Sequence, residues 1–140
     1  MYLLDTDILS NLVKRAPSSL LLEKFKALPE DLLATTAINT GEIFHGAFRS
    51  QHRERIMAFF TEKVFPHMEI LPFDDRSALA YGELKARLEK KGLPKSETDL
   101  RIAAIALQHR LTLVTGNTRH FDNIPGLKME NWIADHNWPR

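Results

Sequence analysis

The chain has 140 residues, 19 Lys and Arg against 18 Asp and Glu, and a formal net charge of +1. Its 44% apolar content suffices for one domain with one buried core, and the charge balance means that any polyanion must be met by locally grouped cations. Without cysteine, disulfides, thiolate metal sites and a cysteine nucleophile are excluded. The start Met1-Tyr2-Leu3-Leu4 has no basic segment and no long apolar run, so no secretory leader is expected. No apolar stretch approaches the roughly 20 residues of a membrane span. A soluble, cytoplasmic protein is the expectation.

Tyr2 to Leu4 is an apolar run stopped by Asp5 and reads as a buried strand. Ile8 to Val13 reads as a short helix with Asp7 as its N-cap, and Ser19 to Leu28 as a second. Leu32 to Thr35 is a second strand. Ala37 to Arg49 is helical, with Ile43, Phe44, Ala47 and Phe48 as core positions, and His52 to Val64 continues as another helix. Glu69 to Leu71 is a short strand, and Asp74 to Lys91 an amphipathic helix with Leu79, Leu84 and Leu88 on its apolar side. Glu97 to His109 is apolar almost all round at its centre, Ile102 to Leu107, so it belongs in the middle of the fold. Leu111 to Thr115 is a third clear strand, Asn117 to Phe121 a helical turn, and Leu127 to Glu130 a last strand. Strands alternating with helices imply an α/β fold whose mainly parallel sheet is covered on both faces.

In such sheets ligands bind at the carboxyl ends of the strands. Asp5 ends strand one, and Asn117 lies just past the strand Leu111 to Thr115. Glu42 sits on the helix after strand two, and Asp99 in the first turn of the most apolar helix. With strand one central, three carboxylates and one amide meet at one sheet edge. Converging carboxylates repel and lose hydration, so unless protonated they need a cation. An all-oxygen donor set suits Mg²⁺ or Mn²⁺, which bind phosphate oxygens and lower the pKa of a bound water. Phosphodiester hydrolysis is the chemistry this arrangement favours.

Taken singly, each residue has a plainer account. Asp7 reads as a cap, Glu42 as a solvated helix residue, Asp99 as a carboxylate favoured by the helix dipole, and Asn117 as a turn residue. Asp5 is hardest to explain that way, because a carboxylate ending a buried strand is costly without a partner. Glu42-Ile43-Phe44-His45 has Glu-x-x-His spacing but no second copy, and no His-Glu-x-x-His, Gly-rich phosphate loop or Gly-x-Ser-x-Gly is present. Basic residues group at Arg49, His52, Arg53 and Arg55, and again from Lys85 to Lys95, where solvated helix faces account for them most simply. Arg101 and Arg119 each lie two residues beyond a site position, which makes them candidates for substrate phosphates.

The segment Leu3-Leu4-Asp5-Thr6-Asp7-Ile8-Leu9 resembles the opening of PIN-domain ribonucleases, particularly the VapC-type toxins of bacterial VapBC toxin–antitoxin pairs. Thr40-Gly41-Glu42-Ile43-Phe44-His45-Gly46 is similar to their second motif, and Thr98-Asp99-Leu100-Arg101 to the third. Leu113-Val114-Thr115-Gly116-Asn117 with Arg119-His120-Phe121 is similar to the fourth, and Pro125-Gly126-Leu127 to the usual ending. The resemblance implies a single PIN-like three-layer domain over residues 1–140. It implies Asp5, Glu42 and Asp99 as metal-site carboxylates, with Asn117 at a fourth position that is often Asp, and Thr6 and Thr115 beside them. It further implies Mg²⁺ dependence with Mn²⁺ as substitute, a structured RNA substrate such as transfer RNA, a VapB-like antitoxin and a homodimer. Two other readings stay open: a catalytically weak PIN module that binds RNA or protein, and a haloacid-dehalogenase-like phosphatase, which Asp5-Thr6-Asp7 also resembles.

Overall fold

A computed structural model describes residues 1–134. Five strands form one parallel sheet in the order β3-β2-β1-β4-β5. They are β1 (Tyr2–Leu4), β2 (Leu33–Thr36), β3 (Glu69–Leu71), β4 (Thr112–Val114) and β5 (Met129–Glu130). The flanking helices are α1 (Thr6–Leu12), α2 (Ser19–Ala27), α3 (Ala37–Arg49), α4 (Arg53–Ala58), α5 (Asp75–Lys90) and α6 (Glu97–His109). No helix among the described residues is long and apolar enough to cross a membrane.

The side-chain period of two splits the core into two layers. Leu3 and Leu113, paired across β1 and β4, pack with Leu84 and Leu88 of α5 and Ile102 and Ile105 of α6. Leu4 and Val114, the next pair, pack with Ile8 and Leu9 of α1, Ile43 of α3 and Phe60. This is the three-layer α/β arrangement expected from the sequence. Every residue from Ile102 to Ala106 is buried, and the alanines at 103, 104 and 106 let α6 lie close between sheet and α5. The helix ends at Arg110 in the left-handed region, with φ 56°, a conformation that costs a non-glycine residue but stops the helix sharply before β4.

Three expectations change. The helix drawn from His52 to Val64 is α4 followed by a wide π turn, Phe59–Val64, which turns Phe60 and Val64 into the core. Leu79 and Phe48, expected in the core, are 76% and 55% exposed. Each lies five residues from a buried position on its helix, Leu84 or Ile43, and five residues is about 140° around a helix. Asp7 does not cap α1; Asp5 does, two residues earlier than expected. After β5 the chain folds back over β1. Trp132 is buried against Tyr2 at 5.1 Å between ring centroids, and its carbonyl accepts from Ser18 Oγ at 3.1 Å.

The two leucines of α5 give a direct check on this packing. In urea denaturation, Leu88→Ala should cost about 2–5 kcal/mol and Leu79→Ala less than about 0.5 kcal/mol. Equal losses would mean that α5 is rotated from the orientation described.

Candidate active site

The direction of strand order changes at β1, with β2 on one side and β4 on the other. At the carboxyl ends of β1 and β4 the surface opens into a cleft of about 670 Å³. This is the topological position where α/β sheets bind ligands. Asp5, Glu42, Asp99 and Asn117, which come from four separate elements, all line it.

Asp5 is 6% exposed and held by three donors. Its Oδ1 accepts from the Thr6 backbone N–H at 2.9 Å and from Asn39 Nδ2 at 3.0 Å, and its Oδ2 from Thr115 Oγ1 at 2.8 Å. These hydrogen bonds favour the ionised form, but burial outweighs them and the neighbouring Asp7 and Glu42 add repulsion. The carboxyl is pushed up to about 6 from its ordinary 3.8. The extended Asp5 backbone (ψ 166°) is that of an N-cap, so strand end, helix start and cleft carboxylate coincide in one residue.

Asn39 ties this carboxylate to Glu42. Fully buried, it takes a hydrogen bond from Thr36 Oγ1 at 2.6 Å and gives its two amide protons to Asp5 and to Thr6 Oγ1, the latter at 2.9 Å. The Thr6 hydroxyl in turn donates to Glu42 Oε1 at 2.5 Å. Asn39 and Glu42 are three apart on α3 and so share a face. Asn39 was not among the candidate residues, although an amide one turn before Glu42 on the side facing Asp5 was a readable signal.

Asp7 also lines the cleft. It accepts from Gly116 N–H at 2.8 Å and thereby pins the loop after β4; burial raises its carboxyl above the ordinary value against that donor. Gly116 has no room for a side chain there, since a Cβ would stand 2.7 Å from Asp7 Oδ2 and 2.6 Å from Ile133 Cδ1. Asn117, next in sequence, donates its backbone N–H to Thr115 Oγ1 at 3.0 Å, while its side chain makes no capping bond to the following turn and lines the cleft. Asp99 enters from the start of α6, where Ser96 caps the helix by accepting from the Asp99 N–H. Its Oδ2 lies 3.5 Å from His120 Nδ1.

Neither Arg101 nor Arg119 lines the cleft among the described residues. The Arg101 guanidinium is 3.8 Å from Glu97 and lies over the Tyr81 ring. The basic side chains that do line the cleft are Lys14 and His120. Among the described residues no three carboxylate or imidazole groups stand close enough to enclose an ion by themselves. The donor set nonetheless fits a small hard cation. It is all oxygen, two of its carboxylates, Asp5 and Asp99, line the cleft from the starts of different helices, and Mg²⁺ keeps several waters while using only one or two protein carboxylates.

The PIN domain family profile matches residues 2–127. The chain is 33% identical over 132 residues to ribonuclease VapC2 of Haemophilus influenzae, covering 94% of this chain and 98% of that protein. It is 32% identical over 131 residues to the tRNA(fMet)-specific endonuclease VapC of Shigella flexneri, covering 94% and 97%. The crystal structure of VapBC2 from Rickettsia felis bound to a promoter DNA fragment superposes with a TM-score of 0.85 at 32% identity, covering 94% of this chain and 98% of that one. Sheet order, cleft position and sequence therefore agree, and the chain belongs to the PIN domain family.

Proposed function

We propose that this protein is a divalent-metal-dependent endoribonuclease, the toxin of a toxin–antitoxin pair. The observation that carries the reading is the convergence of Asp5, Glu42 and Asp99 on one cleft in a PIN domain whose relatives are named ribonucleases. The phosphatase alternative lacks support, because the family match and the sheet order are those of the PIN fold.

In this reading Asp5 and Asp99 hold the cation and Glu42 completes the site through the Thr6 hydroxyl or through water. A bound Mg²⁺ or Mn²⁺ would supply Lewis acidity toward the scissile phosphate and a bound water acidic enough to attack it. Thr6, Asn39 and Thr115 fill three of the roughly four acceptor sites of Asp5 and leave one lone pair, on Oδ2, free for a ligand. Asn117 offers a neutral amide to a water or to the substrate, and Lys14 is the lysine side chain beside the expected phosphate. Arg101 and Arg119 would meet phosphates only farther along the strand. The substrate is a structured RNA, for which transfer RNA is the leading candidate given the activity named for the Shigella flexneri relative. A VapB-like antitoxin and a homodimer complete the proposed assembly, in keeping with the VapBC2 complex of the Rickettsia felis relative.

The purified protein should cleave RNA only with Mg²⁺ or Mn²⁺, and either ion should raise its Tm by binding the native state. Asp99→Asn should abolish both effects. Cleavage that is unaffected by chelation, or by Asp99→Asn, would sink the reading.

Asp5 also makes a pH prediction for the metal-free protein. Its folded pKa of about 6 lies above the ordinary 3.8, so the native state retains a proton that the unfolded chain has released. The stability this group contributes is fully present below 3.8 and is lost as pH rises through about 6, roughly 3 kcal/mol in all. Chelator-treated wild type should therefore lose stability across that window relative to Asp5→Asn, and Mg²⁺ should remove the difference in slope. Parallel pH profiles for the two proteins would show that Asp5 is not the group responsible.

Asn39→Ala should leave the fold intact but lower kcat about 10–100-fold, the usual cost of removing a group that orients a metal ligand. Mg²⁺ affinity measured by thermal shift should fall with it. Unchanged kinetics would reduce Asn39 to a core hydrogen-bonding residue.

A further inference from the structure

The cleft does not end at Glu42. It shares Ser10 and Glu42 with a shallow groove of about 280 Å³ floored by Val13, Ile43, Ala47 and Phe60. That groove shares Ser50 with an open depression of about 440 Å³ formed by residues 50–55. The three form one continuous surface along α3. From Glu42 to Arg49 the helix advances about 10 Å at its usual rise, a distance that a nucleic-acid strand covers in a few nucleotides.

The far end of this surface is predominantly basic. His52, Arg53 and Arg55 contribute to the depression together with one carboxylate, Glu54, and Arg49 ends α3 beside it. Among the described residues no carboxylate lies within ion-pair distance of Arg49, Arg53 or Arg55. The second basic group of the chain differs, because Lys85, Arg87 and Lys95 are paired with Glu97, Glu83 and Asp122. Next to these arginines lies Phe48, more than half exposed. The Arg53 guanidinium lies 5.4 Å from its ring centroid and donates from Nη2 to the Phe48 carbonyl at 3.2 Å. A solvated helix face does not need a large exposed aromatic, nor a guanidinium laid over it.

We propose that the α3–α4 turn is a second RNA-binding site, which grips a single-stranded stretch of the substrate a few nucleotides from the scissile phosphate. Arg49 and Arg55 meet phosphates, and the Phe48–Arg53 pair offers a flat surface on which a base stacks. The inference rests on the ribonuclease reading of the cleft. Charge complementarity and continuity with the cleft select RNA. An acidic polypeptide would satisfy the arginines and leave the Phe48–Arg53 surface without a role.

The test uses catalytically silent Asp99→Asn protein in Mg²⁺ and a labelled single-stranded RNA of about 12 nucleotides, within the span that one such surface covers. Binding is followed by fluorescence anisotropy at several salt concentrations. Adding Arg49→Ala with Arg55→Ala should weaken binding about tenfold and flatten its salt dependence by one to two units of slope. Phe48→Ala should weaken binding several-fold with the slope unchanged. A control that removes equal charge elsewhere, Lys90→Ala with Lys91→Ala, should do neither. Equal loss in the control, or no loss in the arginine variant, overturns the proposal. So does intact RNA binding with lost binding of poly-glutamate, which would assign the turn to an acidic protein partner. Cleavage by the otherwise wild-type chain is assayed separately. Its absence would refute the ribonuclease reading, while the binding series still decides the role of the turn.

Discussion

A carboxylate buried at the end of a central strand is the constraint around which this molecule is arranged. Asp5 must lose most of its hydration, and three fixed donors replace only part of it, so the group sits with its affinity for a proton raised. Each donor comes from a different place: the first turn of α1, the buried face of α3, and the end of β4. The carboxylate thus fixes how two helices and a neighbouring strand meet. In the proposed reading, the same group that costs stability in isolation becomes an asset once a cation shares the cleft. Function and folding pull in opposite directions at this one residue, as is common where sites are built on rigid elements.

Second in importance is the way polar side chains relay position. Thr36 fixes the Asn39 amide, Asn39 orients Asp5 and Thr6, and Thr6 holds Glu42. On the other flank, Thr115 bonds Asp5 while accepting from the Asn117 N–H, and Asp7 ties down Gly116. None of the described buried side-chain polar atoms lacks a partner. A fully satisfied network of this kind holds acidic groups near one another at little cost in disorder.

Much of this was readable in the chain. The bounds of α3 and α6 follow from apolar periodicity and caps, and the all-apolar centre of α6 correctly marks a helix buried between two layers. Asp5, Glu42, Asp99 and Asn117 do line one cleft, because a parallel sheet brings the ends of its central strands together whatever their separation in sequence. What failed did so for local reasons. A cap is recognised by residue type, and Asp5 and Asp7 are the same type; only backbone geometry tells them apart. Leu79 and Phe48 are apolar but lie about a third of a turn off the buried face. Arg101 is near Asp99 in sequence yet points across α6 toward Glu97 and Tyr81. Asn39 is legible only from its spacing, one turn before Glu42 on α3, because its residue type alone does not mark a buried amide.

The fold-back after β5 sets the order in which the cleft is assembled. Trp132 seals the sheet against Tyr2, and Ile133 forms part of the cleft wall that the first carboxylate of the chain begins. A chain emerging from the ribosome N-terminus first therefore carries Asp5, Glu42 and Asp99 well before it has the wall that closes around them. The cleft around these acidic residues is therefore completed only once Ile133 has joined the fold.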